Sequence, residues 1–269
     1  MSSLLPLCAG QWIVAGWMGY FSFSPAMDSS APSQVQFVVH RADDRGHADH
    51  GWLDTYHSFS FAGWHDPNKM HFGALRVLND DAVAGGGGFG THPHDNMEIV
   101  SIPTSGALEH KDSMGNCSVI RTGDVQIMSA GTGVRHSEFN HSATDPVRFF
   151  QIWIYPDEQG LPPRYDQEQY TMGAAGEWKC IVSPGGEEGV RIHQNAWFHL
   201  GDLASGQSAK YALHGGGQGL YAMVLDGEVQ IQGVSLTRRD AIGLWNTDWV
   251  EMTASADCRM LLIEVPMQW

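Results

Sequence analysis

His92 and His94, in the run GFGTHPHDNMEIV, and His136 and Glu138, in MSAGTGVRHSEFN, are the residues of this chain whose types and spacing could do chemistry. Within each pair the side chains lie two positions apart, which in an extended strand puts both on one face. Two such strands set against each other converge three imidazole nitrogens and one carboxylate on a point. That is a ligand set for a metal ion, with coordination positions left open. A related face of two imidazoles and one carboxylate serves non-haem iron oxygenases.

The elements that must position these residues read as strands. From Gln36 onward, apolar runs of four to eight residues alternate with turn signals, as in Arg148 to Ile154 between Pro146 and Pro156. Long 3.6-residue periods are missing. Asp226-Gly227 inside YAMVLDGEVQIQG predicts a type I′ hairpin. Ala107 to His110 and Cys117 to Arg121 form a second expected pair, bending at Gly115. Thirty-two glycines and many short strands suggest a barrel or sandwich. A faint repeat adds a second unit: Gly106 and Gly123-Asp124, each opening a strand, are echoed by Gly227 and Arg239-Asp240. Gapless offsets transferred from the first unit land on Leu213, Gly215, Met252 and Ala254 in the second, none of them a ligand pair. The chemistry therefore belongs to the first unit.

Length and composition fit this reading. The chain has 269 residues, enough for one large all-β unit or two smaller domains. Its 15 basic and 30 acidic residues give a net charge of −15, which argues against direct nucleic-acid binding. Cys8, Cys117, Cys180 and Cys258 show no CxxC spacing and read as reduced thiols of a cytoplasmic protein. Residues 4–26 are apolar and uncharged but interrupted by glycines and prolines, with no cationic segment before them, so neither a signal peptide nor a membrane span is expected. Residues 1–33 read as an N-terminal extension or a start-site artefact ahead of Met27.

HxH followed by Glu98, then Gly-Asp and His136 to Asn140, resembles the cupin double motif. The blocks HRADDRGHADHGWLDTYHSFSFAGWHDP, GALRVLNDD, EHKDSMGN, GDVQIMSAGTGVRHSE and QIWIYPDEQGLPPRYDQ are similar to those of the pirin family of bicupins, over residues 36–269. The resemblance implies two tandem cupin (jelly-roll) β-barrels: an N-terminal domain over 34–166 with the metal site and a C-terminal domain over 167–269 without ligands. It implies one divalent transition metal on His92, His94, His136 and Glu138, with Glu98 behind the ligands. Asp95 departs from the basic residue common at that position in the family and changes only the charge of the pocket rim.

Mixed imidazole and carboxylate ligation suits Fe(II) first, with Mn, Co, Ni, Cu or Zn as alternatives. Phe72, Phe89, Met97 and Met128 are the expected pocket lining. Family members with quercetin 2,3-dioxygenase activity imply a flavonol-like aromatic substrate and O2, with Glu138 accepting the flavonol hydroxyl proton. The family's other use, as a metal- or redox-responsive protein acting on a transcription regulator or metabolic enzyme through protein contact, is the rival reading. A monomer without membrane attachment is expected. His110, His141, His193, His199 and His214 read as ordinary surface or hydrogen-bonded histidines. The irregularly spaced His40, His47, His50, His57, His65 and His71 are not read as a second metal site.

Overall fold

The computed structural model describes residues 34–269. The expectations for residues 1–33, Cys8 among them, lie outside the described residues. Among the described residues no helix is long and apolar enough to cross a membrane. One short 3-10 turn at Ala42–Asp44 accompanies strands arranged in two seven-stranded and two four-stranded sheets.

The sheets form two barrels of the same design. In the first, the order Asp124–Ser129, Glu98–Ser105, Val147–Ile154, Leu75–Val83 runs through the large sheet. The second repeats it with Ala241–Trp245, Gln218–Asp226, Cys258–Pro266 and Trp197–Leu203. Each barrel is closed by a small sheet, which begins with Gly88–His94 beside Val134–Asn140 in one and Ser208–Ala212 beside Trp249–Ala254 in the other. The expected pair of tandem cupin barrels is therefore what the chain forms.

Alternation explains which side chains reach the interior. Val134, His136, Glu138 and Asn140 are buried and the residues between them are less so, giving that strand one inner and one outer face. Central strands of the large sheets, such as Glu98–Ser105 and Gln218–Asp226, are instead buried on both faces. Val100, Ile102, Phe150 and Ile152 of the first barrel join Phe198, Tyr221, Leu261 and Ile263 of the second in a single apolar cluster between the barrels. Each large side chain buried there contributes about 1.5–3 kcal/mol, so the two barrels share one core.

Three expectations change. Asp226-Gly227 does not close a hairpin: Gln218–Asp226 pairs with Ala241–Trp245 and Cys258–Pro266, while Glu228–Ile231 pairs with Val234–Thr237 and Trp249–Ala254. Gly227, at φ +82°, is the corner where the chain leaves the large sheet for the small one, and a Cβ there would strike the Asp257 carbonyl. Gly106, at φ +76°, turns the same corner in the first barrel, which is the physical content of the repeat. The expected segment 34–166 also crosses between sheets, because Gln36–His40 pairs with Ala241–Trp245 of the second barrel.

The third concerns the offsets. His136 pairs with His92 and Asp112, and the matching ladder position Met252 pairs with Ala209 and Ile231. Ala209 and Tyr211, not Leu213 and Gly215, thus stand where the first barrel has His92 and His94. The connection after Ser208–Ala212 is longer than the one after Gly88–His94, and gapless counting carries that difference into the result. Met252 and Ala254 do stand where His136 and Glu138 are. The expected pair Ala107 to His110 with Cys117 to Arg121 is formed.

Candidate metal centre

His92 and His94 lie on Gly88–His94, and His136 and Glu138 on the antiparallel neighbour Val134–Asn140. The register slips between His136 and Glu138, a bulge of the kind that re-aims side chains beside active sites. The three imidazole rings form a near-regular triangle, with centroids 4.9 Å apart for His92 and His94, 4.4 Å for His92 and His136, and 4.9 Å for His94 and His136. Ligand atoms of these three histidines all fall within 4.8 Å of one another, and a second group within the same limit joins His136 to His110 and Glu138.

The hydrogen bonds decide which nitrogen is free. His92 Nδ1 lies 2.8 Å from the Gly90 carbonyl, which can only accept, so Nδ1 carries the proton and Nε2 keeps its lone pair. His136 Nε2 is buried without any partner. A buried, unpartnered imidazole nitrogen is costly unless something electrophilic meets it. Burial, with His92, His94 and His110 nearby, pushes the His136 pKa down to about 2, and burial with His92 takes His94 down to about 4. Both are neutral at pH 7, the form a metal requires.

Glu138 sits at the back of the cavity, 2 % exposed. Burial pushes its pKa up to about 7; hydrogen bonds from Ser101 Oγ at 3.3 Å and Gln151 Nε2 at 2.9 Å oppose this, while Asp81 adds to it. A divalent cation would replace the lost hydration and hold the carboxylate ionised. The unpartnered His136 nitrogen, the neutral imidazoles and the desolvated carboxylate together fit a transition metal.

The cavity measures about 260 Å³ and is lined by Phe61, Asn79, Asp81, Phe89 and Ile99, besides the histidines, Glu138, Gln151 and Trp153. Of the expected lining only Phe89 is there. Phe72 packs between the barrels against Tyr221 and Trp245, on the far side of the large sheet. Met97 and Met128 sit in an apolar cluster with Ile99 and Trp153, beside the cavity rather than on its wall. Their closeness in sequence to the motifs misled, because neighbours along a strand face opposite ways.

Glu98 also needs correction. It accepts hydrogen bonds from Ser129 Oγ at 2.8 Å and from the His193 backbone N–H at 3.2 Å, on the face of its strand opposite to Ile99. It ties the two barrels together and orients no ligand. Asn79, Asp81, Gln151 and Trp153 were missed. Their signal is the two-residue spacing in GALRVLNDD and QIWIY, legible only once those strands are known to face inward. His110, taken as ordinary, is fully buried beside His136.

Comparison with known proteins agrees with the two-barrel fold. The Pirin family profile matches residues 38–154, and that of the quercetinase C-terminal cupin domain matches residues 180–265. A quercetin 2,3-dioxygenase of Escherichia coli (strain K12) is 41% identical over 229 residues, spanning 85% of this chain and 98% of the relative. A pirin-like protein of Caulobacter vibrioides is 38% identical over 225 residues, spanning 82% and 96%. The crystal structure of a bacterial pirin from Escherichia coli in complex with nickel(II) superposes with a TM-score of 0.81 at 39% identity, covering 86% of this chain and 99% of that one. With both barrels matched in order and relatives aligned over nearly their full length, this chain belongs to the pirin family.

Proposed function

We propose that this protein is a metal-dependent dioxygenase that opens the ring of a flavonol such as quercetin with O2, in the cytoplasm, using Fe(II) held by His92, His94, His136 and Glu138. The observation that carries this is the cluster of three neutral imidazoles, one of them without a partner at Nε2, facing a cavity with aromatic walls. The nickel-bound pirin and the quercetin 2,3-dioxygenase relatives support it. When bound, a divalent transition metal supplies open positions where a substrate anion and O2 can meet.

The chain's own residues do the rest. Phe61, Phe89 and Trp153 offer faces and edges to a flat polycyclic substrate. Glu138, held by Ser101 and Gln151, takes the acidic hydroxyl proton of the entering flavonol, as a positioned carboxylate can. Apolar walls keep water from competing for the anion. The free thiols Cys117, Cys180 and Cys258 accord with a reducing compartment.

The test is anaerobic reconstitution with Fe(II), followed by quercetin and O2. Turnover by the native protein with none by Glu138→Ala is expected. A metal-loaded native protein that leaves quercetin intact would overturn the substrate, and one that retains no metal would overturn the site.

A further inference from the structure

We infer that His110 and Asp112 are positioning residues that lock His136 into the tautomer able to bind metal. His110 Nε2 lies 3.0 Å from Asp112 Oδ2, and His110 Nδ1 lies 3.5 Å from His136 Nδ1. A carboxylate only accepts, so His110 donates from Nε2, and its Nδ1 is the acceptor facing His136, whose Nε2 has no partner to donate to. His136 must then donate from its own Nδ1, which leaves the Nε2 lone pair directed at the cavity, where it has no other partner.

Everything around the pair holds it in place. The side chains of His110 and Asp112 are both 0 % exposed. Asp112 is fixed by the backbone N–H groups of Met114 and Asn116 and by Asn116 Nδ2, at 2.9, 3.0 and 2.8 Å. Tyr165 packs on the His110 ring at 4.7 Å between centroids. The second barrel supplies an internal control. Glu138 pairs with His110 and His136 with Asp112, whereas at the matching positions Ala254 pairs with Val229 and Met252 with Ile231. The histidine and aspartate occur in the barrel that carries the ligands and are aliphatic in the one that does not. A carboxylate behind a ligating imidazole sets its tautomer and raises its basicity; here the effect is relayed through a second ring.

This rests on reading the cavity as a metal centre, and its decisive measurement needs no metal. In the metal-free native protein, 15N chemical shifts of the His136 ring should report Nδ1–H and a bare Nε2. Asp112→Asn offers His110 Nε2 a donor, so it should flip His110 and with it His136 to the Nε2–H form. Co(II) affinity, measured against a competing chelator, should then fall about 10- to 100-fold for both Asp112→Asn and His110→Phe. His110→Gln, whose side-chain carbonyl can still accept from His136 Nδ1, should recover part of it. The double variant should lose no more than either single one. An Nε2–H tautomer in the native protein, or unchanged affinity in both single variants, would overturn the inference. So would a lowered melting temperature in both without a change in tautomer or affinity, which marks a merely structural role. Failure of the native protein to bind Co(II) while His136 stays Nδ1–H would sink the metal reading and leave the tautomer lock standing.

Discussion

The two barrels share one strand order and one set of ladder positions, yet they fill them with opposite chemistry. Where the first has His136 and Glu138, the second has Met252 and Ala254, and where the first has His92 and His94 the second has Ala209 and Tyr211. Behind the ligands, Ser101 opposite Gln151 is replaced by Ala222 opposite Leu262. The second interior closes on itself: Leu220, Val224, Val229, Met252 and Leu262 belong to one buried cluster. The first keeps a cavity whose polar groups bond to one another around Glu138. The same barrel design is thus built with and without this set of imidazoles and carboxylate. The second barrel is stabilised by apolar packing, and the first forgoes part of that packing to keep polar groups pointed at a common centre.

The strongest way to break this comparison is to remove a ligand. His136→Ala and Glu138→Gln are expected to take metal content from near one ion per chain to near none, by elemental analysis of the purified protein, because loss of one of four ligands lowers affinity steeply. Full metal content in both would show that the cavity is not the site. In the second barrel, Leu262→Ala should leave metal content untouched and cost about 2–5 kcal/mol in denaturant unfolding, the usual result of emptying a packed core position.

Exchanging equivalent residues sharpens the point. Gln151→Leu gives the first barrel the second barrel's residue and removes a donor from Glu138, so metal affinity should fall by about tenfold or more with little loss of stability. The reverse exchange, Leu262→Gln, buries an amide in a packed core position between Ala222 and His199 and should destabilise by about 1–3 kcal/mol beyond the packing lost. Equal metal affinity for Gln151→Leu and the native protein would mean that the support of Glu138 is incidental. Glu98→Ala should likewise keep metal and turnover, while weakening the joint between barrels by about 1–3 kcal/mol as Ser129 and the His193 N–H lose their acceptor. Metal loss in that variant would restore Glu98 to the ligand set.

The smallest effect expected is on acid stability. Burial, with His92, takes His94 from its ordinary 6.5 down to about 4, and burial, with His214, does the same for His199 of the second barrel. A histidine whose pKa is lowered on folding binds fewer protons in the native state. Stability is therefore complete above pH 6.5 and is lost as pH falls from about 6.5 toward 4. Bound metal excludes the proton from His94 but not from His199. Melting temperatures with and without Zn(II) across that range should show the first barrel protected and an acid loss that persists, and His199→Phe should reduce what persists, leaving the share of His40, which burial also takes down to about 4. Complete protection by metal alone would contradict the assignment to His199.

Local sequence determined a good deal of this. Pairs two residues apart place His92 with His94 and His136 with Glu138 on common strand faces in any extended conformation, and turn residues bound the strands. Met252 and Ala254 in place of His136 and Glu138 were equally legible, whereas counting without gaps missed Ala209 and Tyr211. Tertiary structure decided the remainder. A two-residue period says which side chains share a face, but not which face turns inward or which strand lies opposite, because strand partners are chosen by packing between distant segments. That is why Glu98, one residue from Ile99, points to the joint between barrels while Ile99 lines the cavity. It is also why Ser101, Gln151 and His110, drawn from three separate strands, meet around one carboxylate and one imidazole that only the closed barrel brings together.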